Sequence, residues 1–135
     1  MYYGVLKSIR KEVDYIMYID VFKRGTLEMI ILLILCEADA YGYQIAQALR
    51  IRSHGILTIQ DGALYPLLYR LTENHYVTNR EEIIKTSTGR SKIRVIYTIT
   101  ENGRQHLKHM KKDYDQVQTT INDFFLNSEV NIDEL

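Results

Sequence analysis

A chain of 135 residues with 46% apolar and 25% charged residues is long enough to bury a real core in one domain. Its 17 basic and 17 acidic side chains cancel to a formal net charge of zero, which argues against indiscriminate binding of polyanions. The single cysteine, Cys36, excludes an internal disulfide and a cysteine-based metal site, so a reducing cytoplasm is the expected compartment. We expect no secretory signal and no membrane contact, because the longest apolar run, residues 29–36, is far shorter than the roughly 20 residues that span a bilayer.

Residues 1–21 are predicted to form an amphipathic N-terminal helix. Apolar side chains recur at gaps of three and four from Tyr2 to Met17, which is the period of one helical face. Charged residues between them, including Lys7 and Glu12, would then lie on the solvent side of the helix.

A second helix is expected within residues 23–39. Gly25 and Thr26 are typical of a helix start, and we expect Thr26 to be the N-cap, with Glu28 in the first turn. The run 29–36 is apolar on every face, which predicts a helix that is buried on all sides. In so small a protein, a second subunit would help to supply that burial.

Two more helices are predicted at residues 40–53 and 62–74, joined by a connector with a β-prone stretch at residues 56–59. Three leucines of the later helix form an apolar stripe of helical spacing: Leu64, Leu68 and Leu71. Its other sides carry two tyrosines, a proline and an arginine: Tyr65, Pro66, Tyr69 and Arg70.

A β-hairpin is predicted next, from two β-prone runs at residues 76–84 and 93–99 around a turn at Gly89. Its tip is basic, with no acid among residues 85–94, and it carries Lys85, Arg90, Lys92 and Arg94. The zero net charge therefore hides a basic segment, which is followed by an acidic end at residues 113–135.

The last predicted helix, residues 101–127, carries an a/d heptad seam. Its apolar positions follow one another at gaps of three and four: Leu107, Met110, Tyr114, Val117, Ile121 and Phe124. Such a narrow seam needs a partner helix, either from a second copy of the chain or from the chain's own N-terminal helix. Residues 128–135 are expected to be a disordered tail.

Three helices, a basic-tipped hairpin and a long helix are the element order of a winged helix-turn-helix. Four stretches also resemble PadR-type transcriptional regulators of the smaller kind: RGTLEMIILLIL (24–35), AYGYQIAQAL (40–49), DGALYPLLYRL (61–71) and GRSKIRVIYTITENGRQHL (89–107). The expected fold class is mainly α with a small β-hairpin. Residues 22–100 would form the winged helix-turn-helix domain, between the N-terminal helix and a C-terminal dimerisation helix at residues 101–127.

The resemblance implies a sequence-specific DNA-binding regulator, a homodimeric repressor with a pseudo-palindromic operator. Nothing points to an enzyme, since the sequence has no nucleophile motif, no phosphate-cradling glycine loop and no paired carboxylates. The alternative is a winged-helix interaction module that has lost specific DNA binding, because Ala63 replaces the family's hydroxyl residue and the net charge is zero. The salt dependence of duplex binding separates these two readings.

The residues expected to contact DNA lie on three elements. The helix at residues 62–74 would enter the major groove, with candidates Gly62, Ala63, Tyr65, Pro66, Tyr69 and Arg70. The wing would bind phosphates or enter the minor groove through Lys85, Arg90, Ser91, Lys92 and Arg94. The start of the preceding helix would add Tyr41 and Gln44. The structural alternative is that the tyrosines are half-buried packing residues and that the basic tip is only solvated.

The resemblance also implies a small aromatic effector at the dimer interface. The candidate residues are Tyr15, Tyr18, Met110 and Tyr114, and the alternative is that these side chains belong to the core. No cofactor is expected. His106 and His109 have an i, i+3 spacing that suits a metal, but no third ligand stands near them in the sequence, so no metal site is predicted.

Overall fold

The computed structural model describes residues 18–23 and 25–135. The amphipathic helix predicted for residues 1–21 therefore lies mostly outside the described residues, and its last described part, residues 18–23, is helical.

The described chain is mainly helical with one small antiparallel sheet. Its elements in order are α1 (Thr26–Glu37), β1 (Ala40–Tyr41), α2 (Gly42–Arg52), α3 (Asp61–Glu73), β2 (Val77–Lys85), β3 (Ser91–Ile99), α4 (Glu101–Asn127) and a 3-10 turn (Ile132–Glu134). The strand order is β1-β3-β2. This is a winged helix-turn-helix followed by a long helix, so the predicted fold class is confirmed. No helix of the described residues has both the length and the apolar content that a membrane crossing requires.

The core lies where α1, α2 and α3 meet the sheet. Each helix contributes apolar side chains that recur at three- and four-residue gaps, and the sheet contributes one face of alternate residues. The largest side chains that are fully buried are Ile31, Leu32, Leu35, Ile45, Leu49, Leu64, Leu68, Leu71 and Val77. Burying this many aliphatic side chains, at about 1.5–3 kcal/mol each, is the main force that holds the domain together.

The expectation that α1 is buried on all sides holds only in part. Ile31, Leu32 and Leu35 are buried, but Leu33 keeps 47% of its surface exposed. The described residues of one chain therefore cover only part of this apolar helix.

Two helix starts were predicted wrongly. Thr26 is not the N-cap of α1, because Gly25 takes that position with a left-handed φ of 79°, which glycine adopts at no steric cost. The Thr26 hydroxyl instead donates a hydrogen bond of 2.7 Å to the carbonyl of Lys23. The helix predicted at residues 40–53 starts two residues later, because Ala40 and Tyr41 form strand β1 against Tyr97 and Ile96 of β3. The β-prone residues 56–59 form no strand.

A tight joint connects α4 to the rest of the chain. Thr100 caps the helix by accepting a hydrogen bond from the Gly103 amide at 3.0 Å, and its hydroxyl donates to the His75 carbonyl at 2.6 Å. A Cβ placed on Gly103 would lie 2.1 Å from the carbonyl oxygen of Tyr76, so only glycine fits here. One turn later, His106 stacks on the Tyr76 ring with centroids 3.9 Å apart.

Beyond this joint, α4 soon leaves the core. Leu107 and Met110 still pack against the core, whereas every residue from 111 to 127 is exposed. The tail that was expected to be disordered, residues 128–135, is exposed as well and carries the 3-10 turn Ile132–Glu134.

Candidate nucleic-acid interface

Helix α3 has one buried side and one open side. Its four leucines, Leu64, Leu67, Leu68 and Leu71, are buried, and the sequence analysis had recognised three of them. At 100° per residue, Gly62, Pro66 and Tyr69 lie opposite the leucines, and all three are exposed. Pro66 has no amide hydrogen, so the carbonyl of Gly62, four residues earlier, loses its helical donor. The exposed side therefore presents aromatic surface and one free backbone acceptor.

Tyr65 combines both interpretations that the sequence left open. Its side chain is 47% exposed, yet its hydroxyl lies only 2.7 Å from where a Cβ on Gly42 would be. The glycine at the first position of α2 thus allows the tyrosine of α3 to cross it. Burial raises the pKa of the nearby Tyr97 above 10.0, and the charge of Tyr65 adds to that increase. Tyr65 therefore packs its hydroxyl end against Gly42 while about half of its side chain stays exposed.

Arg70 lies on the opposite flank of α3 from Tyr65. With Gly62 and Ala63 it lines a groove of about 630 Å³ between α3 and the start of α1. Lys23 lines the same groove, where its ammonium donates to the Thr58 carbonyl at 3.3 Å. The two predicted tyrosines and the predicted arginine therefore do not share one surface.

Tyr41 and Gln44 are engaged within the protein. The Gln44 side-chain oxygen accepts a hydrogen bond of 3.1 Å from the Tyr41 amide, which satisfies a free donor at the start of α2. The guanidinium of Arg94 lies 4.6 Å from the Tyr41 ring centroid, a cation–π contact. Both residues shape the junction of α2 and the sheet.

A second polar face of α2 was missed by the sequence analysis. The Gln47 amide donates to the Tyr43 hydroxyl, and Arg50 donates to the Gln47 side-chain carbonyl oxygen. The half-buried Gln47 thus connects two exposed side chains in a ladder. The ladder borders a groove with Thr58 and Ile59, just before α3 begins. Their i, i+4, i+7 spacing was the available signal.

The hairpin tip is basic and exposed. The Thr86 amide donates to the Arg90 carbonyl at 2.8 Å, and Gly89 turns the chain with a left-handed φ of 81°. The four tip candidates are all exposed: Lys85, Arg90, Ser91 and Lys92. Arg94 differs, because it is half-buried and pairs with Glu82 at 3.5 Å. The wing is therefore basic only at its tip.

A family model described as the transcriptional regulator PadR-like family matches residues 31–109, more than half of the chain. The chain belongs to the PadR-like family. The resemblance seen in the sequence is confirmed, and the members of this family are transcriptional regulators, not enzymes.

Individual relatives agree with this membership. The transcriptional regulator YqjI of Escherichia coli is 31% identical over 100 residues, which cover 74% of this chain and 44% of that protein. This chain thus spans less than half the length of that relative. A transcriptional regulator structure from Clostridium thermocellum has a TM-score of 0.68 and 31% identity, covering 76% of this chain and 96% of that one. Bacillus subtilis PadR, solved in complex with operator DNA, has a TM-score of 0.54 and 25% identity over 64% of this chain and 46% of that one.

In this PadR-like chain the predicted dimer seam divides into two parts. Leu107 and Met110 pack against the chain's own core. The remaining four are exposed: Tyr114, Val117, Ile121 and Phe124. A mainly apolar groove of about 670 Å³ runs between the seam and α1, and Phe22, Met29 and Ile30 form its far wall.

The effector candidates are not brought together. Tyr114 lines the groove beside α1, but Tyr18 and Met110 are not among the described lining residues. Tyr15 lies outside the described residues. Phe22 is the aromatic residue that joins Tyr114 instead.

His106 has a structural partner. Its Nε2 lies 3.3 Å from a carboxylate oxygen of Glu28, and together with the Tyr76 stack this ties α4 to α1. Within the part of the chain that the structure describes, no group of three or more His, Cys, Asp or Glu side chains is placed to hold a metal.

Proposed function

We propose that this PadR-like regulator is a homodimeric repressor that binds a pseudo-palindromic operator and is released by a small aromatic effector. The observation that carries the proposal is α3, which buries four leucines and leaves Gly62, Pro66 and Tyr69 exposed, on a fold shared with an operator-bound relative. The same proposal places the protein in the cytoplasm.

In this proposal α3 enters the major groove. That groove is about 12 Å wide and accepts an α-helix. The absent side chain at Gly62 and the short one at Ala63 let the first turn of α3 approach the bases. Tyr69 and Arg70 reach further, the arginine to guanine or to a phosphate.

Phosphate contacts come from the wing tip. Lys85, Arg90 and Lys92 are exposed. Each such contact releases counterions, so affinity falls with added salt. The Tyr43–Gln47–Arg50 ladder of α2 adds an arginine and a phenol close to the start of α3. Arg94 and Gln44 take part indirectly, by fixing the junction on which the wing stands.

Dimerisation is proposed for the outer half of α4. Tyr114, Val117 and Ile121 are exposed at heptad spacing and line the groove beside α1. An apolar seam in water is unfavourable, and a two-fold partner helix would cover it. The exposed Leu33 of α1 indicates that a partner subunit would also cover part of α1.

The groove between the seam and α1 is the proposed effector site. A volume of about 670 Å³ suits a small aromatic molecule, and Phe22 and Tyr114 offer rings for stacking. A ligand there would contact α4 and α1 together. His106 connects both helices, through Glu28 and Tyr76, to the segment that follows α3.

The decisive experiment is fluorescence anisotropy of the protein with duplex from upstream of its own gene, across a salt series, against scrambled duplex. We expect selective, salt-sensitive binding. Replacing Arg90 and Lys92 by alanine should weaken binding to both duplexes. Each phosphate contact contributes about 0.9 to the log–log salt slope, so losing two contacts per protomer should flatten the slope of the proposed dimer by about 3.6.

The matched control removes two positive charges elsewhere. Lys108→Ala/Lys112→Ala changes the net charge equally, on the side of α4 opposite the seam. An unchanged slope in the wing variant would show that the tip does not bind DNA. No preference over scrambled duplex would favour the interaction module, the reading that Ala63 and the zero net charge support.

A further inference from the structure

Two isoleucines form an exposed apolar pair in the stem of the wing. Ile83 is 72% exposed and Ile93 is 59% exposed, and they are direct partners in the β2–β3 register. Directly opposite side chains in an antiparallel pair have Cβ atoms about 4.5–5.5 Å apart, so the two make one continuous apolar surface. Single exposed apolar residues are ordinary, but a paired patch on a narrow hairpin is not explained by folding.

The pair lies on the same face of the sheet as the core. Side chains alternate along a strand, so Ile93 shares its face with Val95, Tyr97 and Ile99. Tyr97 and Ile99 are buried in the core, and Val95 packs against it. Ile93 is two residues beyond Val95, which places it about 7 Å past the body of the protein.

This face is also the one on which α3 lies. The leucines of α3 share the core cluster with Val77, Tyr97 and Ile99. The isoleucine pair therefore lies on the sheet face that packs against α3, further out along the wing.

Basic side chains border the pair on its outer side. The next strand pair toward the tip on the same face is Lys85 with Ser91, and Arg90 follows in the turn. Lys92, paired with Ile84, lies between them on the opposite face. The apolar surface is thus placed between a helix proposed to occupy the major groove and a tip proposed to bind phosphates. That position is continuous with the proposed DNA-binding surface. It is basic on its tip side, and on its body side the exposed Glu81 lies on the same face, paired with Val95.

We infer that the Ile83–Ile93 pair contacts the minor groove next to the site of α3 and distinguishes A·T from G·C pairs by shape. This inference rests on the proposed DNA-binding function. A G·C pair places the guanine N2 amino group in the minor groove, whereas an A·T pair leaves the groove floor open there. Apolar side chains are used by other proteins against minor-groove surfaces. The two isoleucine side chains would fit against the minor groove of an A·T pair, whereas the guanine amino group of a G·C pair would obstruct them.

The first test compares wing variants of the full-length protein. The probe is the tightest duplex of about 30 base pairs that the wild type selects from a random pool, long enough for two half-sites. Ile83→Thr/Ile93→Thr keeps β-branched side chains, so the strands should form. We expect its Kd to rise about tenfold with the salt slope unchanged, because apolar contact is lost and no charge is removed. Ile83→Val/Ile93→Val should stay within about threefold of the wild type, since most of the apolar surface is retained.

The second test changes the DNA. A·T pairs under the wing are replaced by G·C or by inosine·cytosine, which lacks the minor-groove amino group. The wild type should lose affinity for the G·C duplex only, and the threonine variant should treat all three duplexes alike. Ile84→Thr is the matched control, because this half-buried neighbour points to the opposite face and should keep the discrimination.

The outcomes separate the two levels of the hypothesis. If the wild type selects no duplex, the proposed function itself fails. If the wild type binds selectively but the threonine variant keeps both its affinity and its A·T preference, the isoleucine assignment alone is overturned. If that variant instead loses its solution dimer while single half-site duplexes bind normally, the pair is a protein contact and the inference is wrong. Circular dichroism melting confirms that each variant is folded.

Discussion

The body of the molecule, residues 26–110, and the arm, residues 111–127, differ in how far their apolar side chains are buried. The body buries its apolar side chains against one another, from Ile31 in α1 to Ile99 in β3. The arm has the same kind of apolar residues at regular spacing, such as Val117 and Ile121, and none of its residues is buried.

This contrast shows which part of the chain has a hydrophobic core of its own. The body buries a core of its own apolar side chains, although Leu33 stays exposed, and it is expected to fold as a unit. The arm has helical periodicity but little cover within the described chain, and isolated helices are marginal in water. A partner would therefore stabilise the arm far more than the body.

The largest expected effect comes from breaking the joint between body and arm. In Gly103→Ala the new Cβ would meet the Tyr76 carbonyl oxygen at 2.1 Å and Ile99 Cγ1 at 2.7 Å. Because the first of these is a backbone atom, α4 must shift as a whole, and we expect a loss of roughly 3–4 kcal/mol in the free energy of unfolding. Urea denaturation followed by circular dichroism measures it.

Gly62→Ala is the control for the joint. A Cβ at Gly62 has no atom within 4 Å, so the substitution should stabilise the protein by about 0.5 kcal/mol through the unfolded state. Equal destabilisation by the two alanines would mean that glycine flexibility, and not the close contact at Tyr76, matters at position 103.

Next in size is a charge placed in the arm. Ile121 is 49% exposed, so Ile121→Asp should change the stability of a monomer little. In a two-fold dimer the change occurs twice, and the dimer dissociation constant should rise at least about a hundredfold, close to 3 kcal/mol. Sedimentation velocity over a dilution series measures the shift from dimer to monomer.

Thr119→Asp gives the matching control. Thr119 lies on the side of α4 opposite the seam, so the same charge there should leave the dimer intact. If both aspartates dissociate the dimer, the arm is sensitive to charge in general. If neither does, the seam is not the interface and the contrast between body and arm needs another explanation.

The body and arm also differ in how well the sequence predicts them. The leucine stripe of α3 and the helical course of α4 were predicted correctly, because helical periodicity appears in residues three and four apart. The seam of α4 stays a predicted dimer contact. The wing was also predicted from a local pattern, because apolar and polar residues alternate in the two runs on either side of Gly89.

What could not be predicted depends on neighbours distant in sequence. Strand β1 has only two residues, and it exists because Ala40 and Tyr41 pair with β3. Arg94 stays a predicted DNA contact, but the sequence could not show that β1 brings Tyr41 beneath its guanidinium and that β2 brings Glu82 beside it. The requirement for glycine at position 103 likewise comes from a carbonyl 27 residues earlier in the chain. Individual DNA contacts stay predictions, since their partner is another molecule.

The smallest expected effect concerns a property that only the body can have, a buried phenol. Burial, and secondarily the charge of Tyr65, raises the pKa of Tyr97 above its ordinary 10.0. The folded state therefore holds this proton more firmly than the unfolded chain, so the stability from the neutral phenol is complete below pH 10 and is lost as pH rises through the folded pKa. We expect Tyr97→Phe to flatten the alkaline decline of the free energy of unfolding by at most about 1.4 kcal/mol per pH unit, the limit for one proton. Denaturation at a series of pH values from neutral into the alkaline range measures this, with Tyr69→Phe as the control for losing an exposed phenol. Because the arm buries nothing, an alkaline decline that persists in full in Tyr97→Phe would have to arise elsewhere in the body, and burial of this ring would not be its cause.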